Sequence, residues 1–237
     1  GEVDPYLGGN EALELLAKNI HDRGWYYILD GVFNHTGVNH TWFQDAVRNP
    51  ESPYRDYFTF SQYPEHYVSW LGHKMLPKLD YSSEDVCQEL IKGTSSVCRR
   101  WLKAPFHADG WRLDAPNMLG RDGTDAGNKE LWREFRQAVK TERPDAYFMG
   151  ECFPEATSWL QGDTFDGVMN YKGFTIPVLQ WLTGKDLHMH PAAIDGQSLV
   201  QWLTAMMARV PFVLRNLQYN CLSSHDIARF ISRVEHG

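Results

Sequence analysis

The stretch Gly110-Trp111-Arg112-Leu113-Asp114-Ala115-Pro116-Asn117 reads as the end of a buried strand that delivers an arginine and a carboxylate to one place. Successive side chains on a strand alternate faces, so Arg112 and Asp114 point one way while Trp111 and Leu113 point the other. Pro116 then stops the strand. A guanidinium beside a carboxylate favours the charged form, which is what a carboxylate nucleophile needs at neutral pH. The same spacing also occurs in purely structural ion pairs, so the rest of the chain has to separate the two readings.

Working outward, Trp25 to Leu29 is continuously apolar and aromatic, the mark of a parallel strand buried on both faces, and it runs into Asp30, Asn34 and His35. Tyr147 to Glu151 predicts a third strand, again ending in a carboxylate. Phe165 to Tyr171 predicts a fourth, ending in Asn170, and Leu217 to Leu222 a fifth, followed by Ser223-Ser224-His225-Asp226. Helical spacing lies between the strands. Leu13, Leu16, Ala17 and Ile20 share a face closed by Gly24, and Val86, Leu90, Val97 and Trp101 share another after the start signal Ser82-Ser83. Leu131, Phe135 and Val139 mark a helix closed before Pro144, and Leu199, Trp202, Leu203, Met206 and Met207 mark one more. Gly120 to Asn128 reads as a glycine- and aspartate-rich loop, and residues 172–197 as irregular chain.

Strand and helix alternating, with polar residues at each strand end, imply a parallel sheet with its site at the carboxyl ends. The glycine signature of the doubly wound nucleotide folds is absent, which favours a (β/α)8 TIM barrel of the α/β class. Five strands cannot close eight, so the expectation is an incomplete barrel, about strands 3 to 7, from a longer catalytic domain. Between Thr36 and Asp80 nine aromatic rings crowd among turn residues, as in a small inserted subdomain after strand 3. The expected organisation is barrel over 1–35, insertion over 36–80 and barrel again over 81–237. Most of the nine rings are needed for the insertion's own core, with one or two left to stack on a sugar.

The 237 residues, 43% hydrophobic, with a formal charge of −7, suit one soluble globular domain. An acidic balance without a Lys/Arg cluster argues against nucleic acid and against an anionic membrane surface. No apolar run approaches the roughly 18 residues of a membrane span. Cys87, Cys98, Cys152 and Cys221 are scattered without metal-ligand spacing and fit a reducing, cytoplasmic setting. His188-Met189-His190 has the spacing of a metal half-site but no third ligand, so no metal is expected.

Asp114, Glu151 and Asp226 each follow or end a strand, and His35 and His225 lie at strand ends of the same kind. A retaining glycosidase needs one ionised carboxylate as nucleophile and one protonated carboxyl as acid, about 5 to 5.5 Å apart. Asp114 beside Arg112 suits the first role. Glu151, flanked by Cys152 and Phe153, suits the second, and Asp226 is left to stabilise positive charge.

DGVFNH (30–35), GWRLDAPN (110–117), GE (150–151) and SHD (224–226) resemble, in order and spacing, the four signature regions of the α-amylase family of glycoside hydrolases. Family membership implies the barrel with its insertion after the third strand, with Gly1 just past the second strand and Gly237 before the eighth. It implies Asp114 as nucleophile, Glu151 as acid/base, Asp226 as transition-state stabiliser, and Arg112, His35 and His225 as sugar contacts or orienting groups. LPKLD (76–80) and MNY (169–171) resemble the cyclomaltodextrinases, neopullulanases and maltogenic amylases. The longer segments WLGHKMLPKLDY, VCRRWLKAPFHADGWRLDAPNMLG, MNYKGFTIP and SHDIARF together resemble the maltodextrin glucosidases. The resemblance thus implies hydrolysis of maltodextrins with glucose release, with a glucan transferase or cyclodextrin hydrolase as the alternative. A catalytically inactive scaffold, as in the heavy chain of an amino-acid transporter, is the alternative from another class. Asn34 matches a calcium-ligand position of typical α-amylases, but no accompanying acidic ligands are recognisable, so no cofactor is expected.

Overall fold

A computed structural model describes residues 2–121 and 127–234. The chain forms two compact units, Gly1–Phe148 and Met149–Gly237. Most of the loop expected over 120–128 lies outside the described residues.

In the first unit, α1 (Gly9–His21) leads through a turn at Gly24, in the left-handed region at φ 70°, toward β1 (Leu29–Gly31). The helix ends three residues before Gly24, and of its expected stripe only Ala17 is buried. Trp25 and Tyr26 are 64% and 78% exposed, against the expected burial on both faces. The reason is pairing. Among the described residues β1 has a neighbour on one side only, the parallel strand β4 (Gly110–Leu113), with Asp30 opposite Arg112 and Gly31 opposite Leu113. Gly110 is required where it stands, because a Cβ there would come within 1.9 Å of the Tyr147 carbonyl oxygen.

Between β1 and the helices that precede β4 lie α2 (Thr41–Arg48) and an antiparallel pair, β2 (Phe60–Gln62) and β3 (His66–Tyr67). The aromatic rings here pack chiefly on one another: Phe43 meets Phe58 and Tyr67 edge-on, and Trp42 contacts Tyr54 and Tyr57. Bridges of His35 to Lys78, Phe58 to Leu79 and Ser69 to Pro77 sew the stretch together.

The single helical face expected from Val86 to Trp101 is broken. α3 (Glu84–Cys87) runs into a π turn over Gln88–Lys92, and α4 (Val97–Arg100) starts afresh after Gly93. The Gly93 amide closes the π turn on Gln88 O, an approach that a Cβ would block at 2.6 Å. α5 (Asn128–Glu142) buries Phe135 and Val139 as the spacing requires, but Leu131 of the expected stripe is only half-buried and the adjacent Trp132 is buried in its place, its Nε1 donating to Pro116 O at 2.7 Å just beyond β4.

β5 (Tyr147–Cys152) begins at the end of the first unit and continues into the second, where it pairs in parallel with β6 (Gly167–Asn170), Glu151 opposite Met169. A π turn over Tyr171–Thr175 follows, then α6 (Ile176–Thr183) and α7 (Gly196–Ala208). The irregular chain expected over 172–197 is therefore partly helical. Pro177 in the first turn and Gly184 at the end were its start and stop signals, hidden by a segment that is apolar nearly all round. The fifth strand expected over 217–222 reduces to one parallel bridge, Met169 to Tyr219. Leu217 belongs to a 3-10 helix, Phe212–Leu217, and the Gln218 side chain takes up the Val168 amide at 3.2 Å in place of a backbone partner. α8 (Phe230–Val234) closes the described chain. Among the described residues no helix is long and apolar enough to cross a membrane.

Candidate active site

The first unit gathers Asp30, His35, Arg112 and Asp114. β4 ends at Leu113, and the Asp114 amide still bonds to Gly31 O at 3.1 Å, which keeps its side chain on the Arg112 face. Arg112 is buried, and its Nη1 donates to Asp114 Oδ1 at 3.1 Å and to Asp30 Oδ1 at 2.9 Å. One guanidinium therefore holds two carboxylates. Ala115 sits in the left-handed region at φ 41°, so the chain turns sharply straight after Asp114. Asp30 was missed as a site residue. Its partnership depends on the β1–β4 register, which no spacing within either strand discloses.

His35 is half-buried, its ring stacked on Trp70 with centroids 5.5 Å apart and planes 27° apart. Burial lowers its pKa below the ordinary value, against the opposing pull of the Asp114 charge. Asn34 is almost wholly buried, and its Nδ2 lies 3.2 Å from His35 Nδ1. Its Oδ1 has no hydrogen-bond partner. Calcium asks for six to eight oxygens including carboxylates, and among the described residues no group of three or more His, Cys, Asp or Glu side chains stands ready to hold an ion. His188 and His190 are exposed, their rings 6.2 Å apart.

The second unit gathers Glu151, Tyr171 and the turn Ser224-His225-Asp226. Glu151 is buried on β5. His225 and Asp226 stand at the surface, with His225 Nε2 3.3 Å from Asp226 Oδ2. Tyr171, fully buried after β6, donates its hydroxyl to Ser224 Oγ at 2.8 Å. Burial pushes its phenol up to about 12, the hydrogen bond to Ser224 acts the other way, and the charges of Glu151 and Asp226 add to the rise. Both carboxylates thus bear on one ring. Tyr171 was also missed, although the motif that contains it was singled out.

Each unit thus sets charged side chains at the carboxyl ends of parallel strands, where β/α folds carry their chemistry. The family model of the α-amylase catalytic domain matches residues 1–237. A cyclomaltodextrinase from a Bacillus species is 34% identical over 99% of this chain and 40% of its own length. The intracellular maltogenic amylase of Bacillus subtilis strain 168 is 31% identical over 98% of this chain and 36% of its own length. The crystal structure of Ttha1563 from Thermus thermophilus superposes with a TM-score of 0.87 at 37% identity, covering 99% of this chain and 50% of that one. The chain thus spans about two fifths of the curated relatives it matches, and its parallel strands and helices are those of an incomplete (β/α) barrel. It belongs to the α-amylase family, as part of that family's catalytic domain.

Proposed function

We propose that this chain carries the catalytic machinery of a retaining glycoside hydrolase that cuts α-1,4-glucosidic bonds of maltodextrins and releases glucose. In this reading Asp114 attacks the anomeric carbon, its Oδ1 held by Arg112 at 3.1 Å. Glu151 gives its proton to the departing glycosidic oxygen, leaving a covalent glucosyl ester on Asp114. Glu151, now a carboxylate, takes a proton from water, the water attacks the same carbon, and Asp114 departs. Asp226 stabilises the positive charge that builds on the ring in both steps. His35, Arg112 and His225 contact the sugar or orient the carboxylates.

The observation that carries this reading is the Arg112 clamp on Asp114 at the end of β4, in a chain of the α-amylase family. The first unit also supports Trp70 as one of the insertion's rings that reaches the site, through its stack on His35. The proposed organisation is barrel over 1–35 and 81–237 with 36–80 inserted. Substrate is an α-glucan, and a location inside the cell is supported by the name of the B. subtilis relative.

The test is maltotetraose labelled at its reducing end. Labelled glucose should appear first, and early labelled maltose or maltotriose would favour another cleavage mode. A second reading, cyclomaltodextrinase or transferase, is favoured by the names of the relatives. Products from cyclodextrin and pullulan separate the two. A non-catalytic scaffold would not need Asp114, Glu151 and Asp226 together.

A further inference from the structure

The segment Asn170-Tyr171-Lys172-Gly173-Phe174-Thr175 does more than end a strand. Four of its residues are arranged around the chain that leads into the Ser224-His225-Asp226 turn. The Asn170 amide donates to Tyr219 O at 2.9 Å, and its Nδ2 donates to Asn220 Oδ1 at 2.8 Å. Thr175 Oγ1 donates to Cys221 O at 2.6 Å, and Tyr171 reaches furthest, to Ser224 Oγ. Gly173 lets this happen: a Cβ there would lie 2.2 Å from Asn170 Oδ1 and push the amide off Asn220. The π turn over Tyr171–Thr175 sets the spacing, and single π turns of this sort cluster at functional sites.

Ser224 Oγ receives a second hydrogen bond, from the Asp226 amide at 3.2 Å, a short side-chain turn that fixes where residue 226 begins. On its other side the Tyr171 ring lies flat on Phe153, centroids 4.0 Å apart and planes 10° apart, two residues beyond Glu151. The phenol is thus held at its face by Phe153 and at its hydroxyl by Ser224. We propose that Tyr171 is a positioning residue for Asp226: wedged against Phe153, it holds the Ser224 hydroxyl and through it the turn that presents the Asp226 carboxylate. This rests on the role given above to Asp226 as stabiliser of the transition state. An error of about 1 Å at a catalytic group costs up to about a hundredfold in rate, and a loosened turn produces errors of that kind while leaving ground-state sugar contacts in place.

The experiment compares Tyr171→Phe, Ser224→Ala, the double variant and Asp226→Ala, each in the full-length chain, with maltotriose as substrate. Tyr171→Phe keeps the ring stack and deletes only the hydroxyl. It should lower kcat by about 10- to 100-fold with KM within about twofold, Ser224→Ala should lose a similar factor, and the double variant should lose no more than the larger single loss. Far-UV circular dichroism and melting establish folding. If Tyr171→Phe does not fold, Ser224→Ala carries the test alone, since it leaves the buried ring untouched. Tyr171→Phe within twofold of wild-type kcat, alongside an inactive Asp226→Ala, would overturn the positioning role while the glycosidase reading stood. Losses that multiply in the double variant would overturn it too. A wild type without action on maltotriose, or an active Asp226→Ala, would instead bring down the reading on which this inference rests.

Discussion

Asp109 stands one residue before β4, at the end opposite Asp114, and its replacement separates what holds the fold from what does the chemistry. Its carboxylate is 4% exposed and meets three groups: Arg143 Nη2 at 2.6 Å, His21 Nε2 at 2.9 Å and the Tyr27 amide at 2.8 Å. Asp109→Asn keeps the shape and can still accept from Tyr27, so the loss isolates the charge. Arg143 is left 23% exposed, with its Nη1 bonds to His107 O and Ala108 O and a weaker partner in Asp145 at 3.3 Å. Removing one partner of a fully buried pair costs about 3 to 5 kcal/mol, and an exposed pair is worth about 0 to 1. A cation three-quarters buried with a fallback partner falls between, at about 2 to 3 kcal/mol. With a urea slope of about 1 to 3 kcal/mol per molar, the midpoint should fall by about 0.7 to 3 M. Arg143→Met in the same background should restore part of the loss by removing the stranded charge. Five residues of extended chain put Asp109 about 16 Å from Asp114, so kcat below the transition should not change. A loss under about 0.5 kcal/mol, or a kcat that falls with stability intact, would refute the reasoning.

Glu151→Gln should slow maltotriose far more than an activated aryl glucoside, because only the poor leaving group needs a proton; equal losses would move the acid role elsewhere. His35 should titrate below 6.5 in an imidazole NMR titration, since burial lowers its pKa. The folded state then binds fewer protons than the unfolded one, so this residue's contribution to stability is present above about pH 6.5 and is lost as pH falls toward the folded value. Trp70→Ala, which uncovers the ring, should raise that pKa, and an unchanged value would show that the stack is not the cause. Arg233 is wholly buried and donates to Asp186 O, Leu187 O and Ala228 O at 2.7 to 3.1 Å. Arg233→Lys cannot make this fork and should cost about 2 to 3 kcal/mol in urea unfolding, while a cost near zero would contradict that.

The parts legible in the sequence were those where a local pattern states its own environment. Arg112 and Asp114 alternate on one strand, and the structure joins them as expected. Leu131, Phe135 and Val139 follow helical spacing, and α5 buries the last two, with Trp132 rather than Leu131 completing the buried face. Legibility failed where the partner lies far off in sequence. Trp25 and Tyr26 have the composition of a two-faced strand, but exposure depends on which strands flank them. Asp30 joins the clamp only because its register places it opposite Arg112. Tyr171 sits in a quoted motif, yet its meaning is a hydrogen bond to a residue 53 positions on. α6 was overlooked because periodicity finds amphipathic helices, and Ile-Pro-Val-Leu-Gln-Trp-Leu is apolar almost all round.

The central claim is that Asp114 forms a covalent bond to the sugar, and trapping that bond tests it most directly. A 5-fluoro-α-D-glucosyl fluoride loads a retaining glycosidase by its good leaving group and then turns over slowly, because the ring fluorine opposes the positive charge of the transition state. Peptide mapping of the full-length chain after exposure should find one fluoroglucosyl group, on the peptide containing Asp114, and Asp114→Ala should take up none. A label on another carboxylate, or no label together with the opposite anomer as the first product of maltodextrin cleavage, would contradict the account.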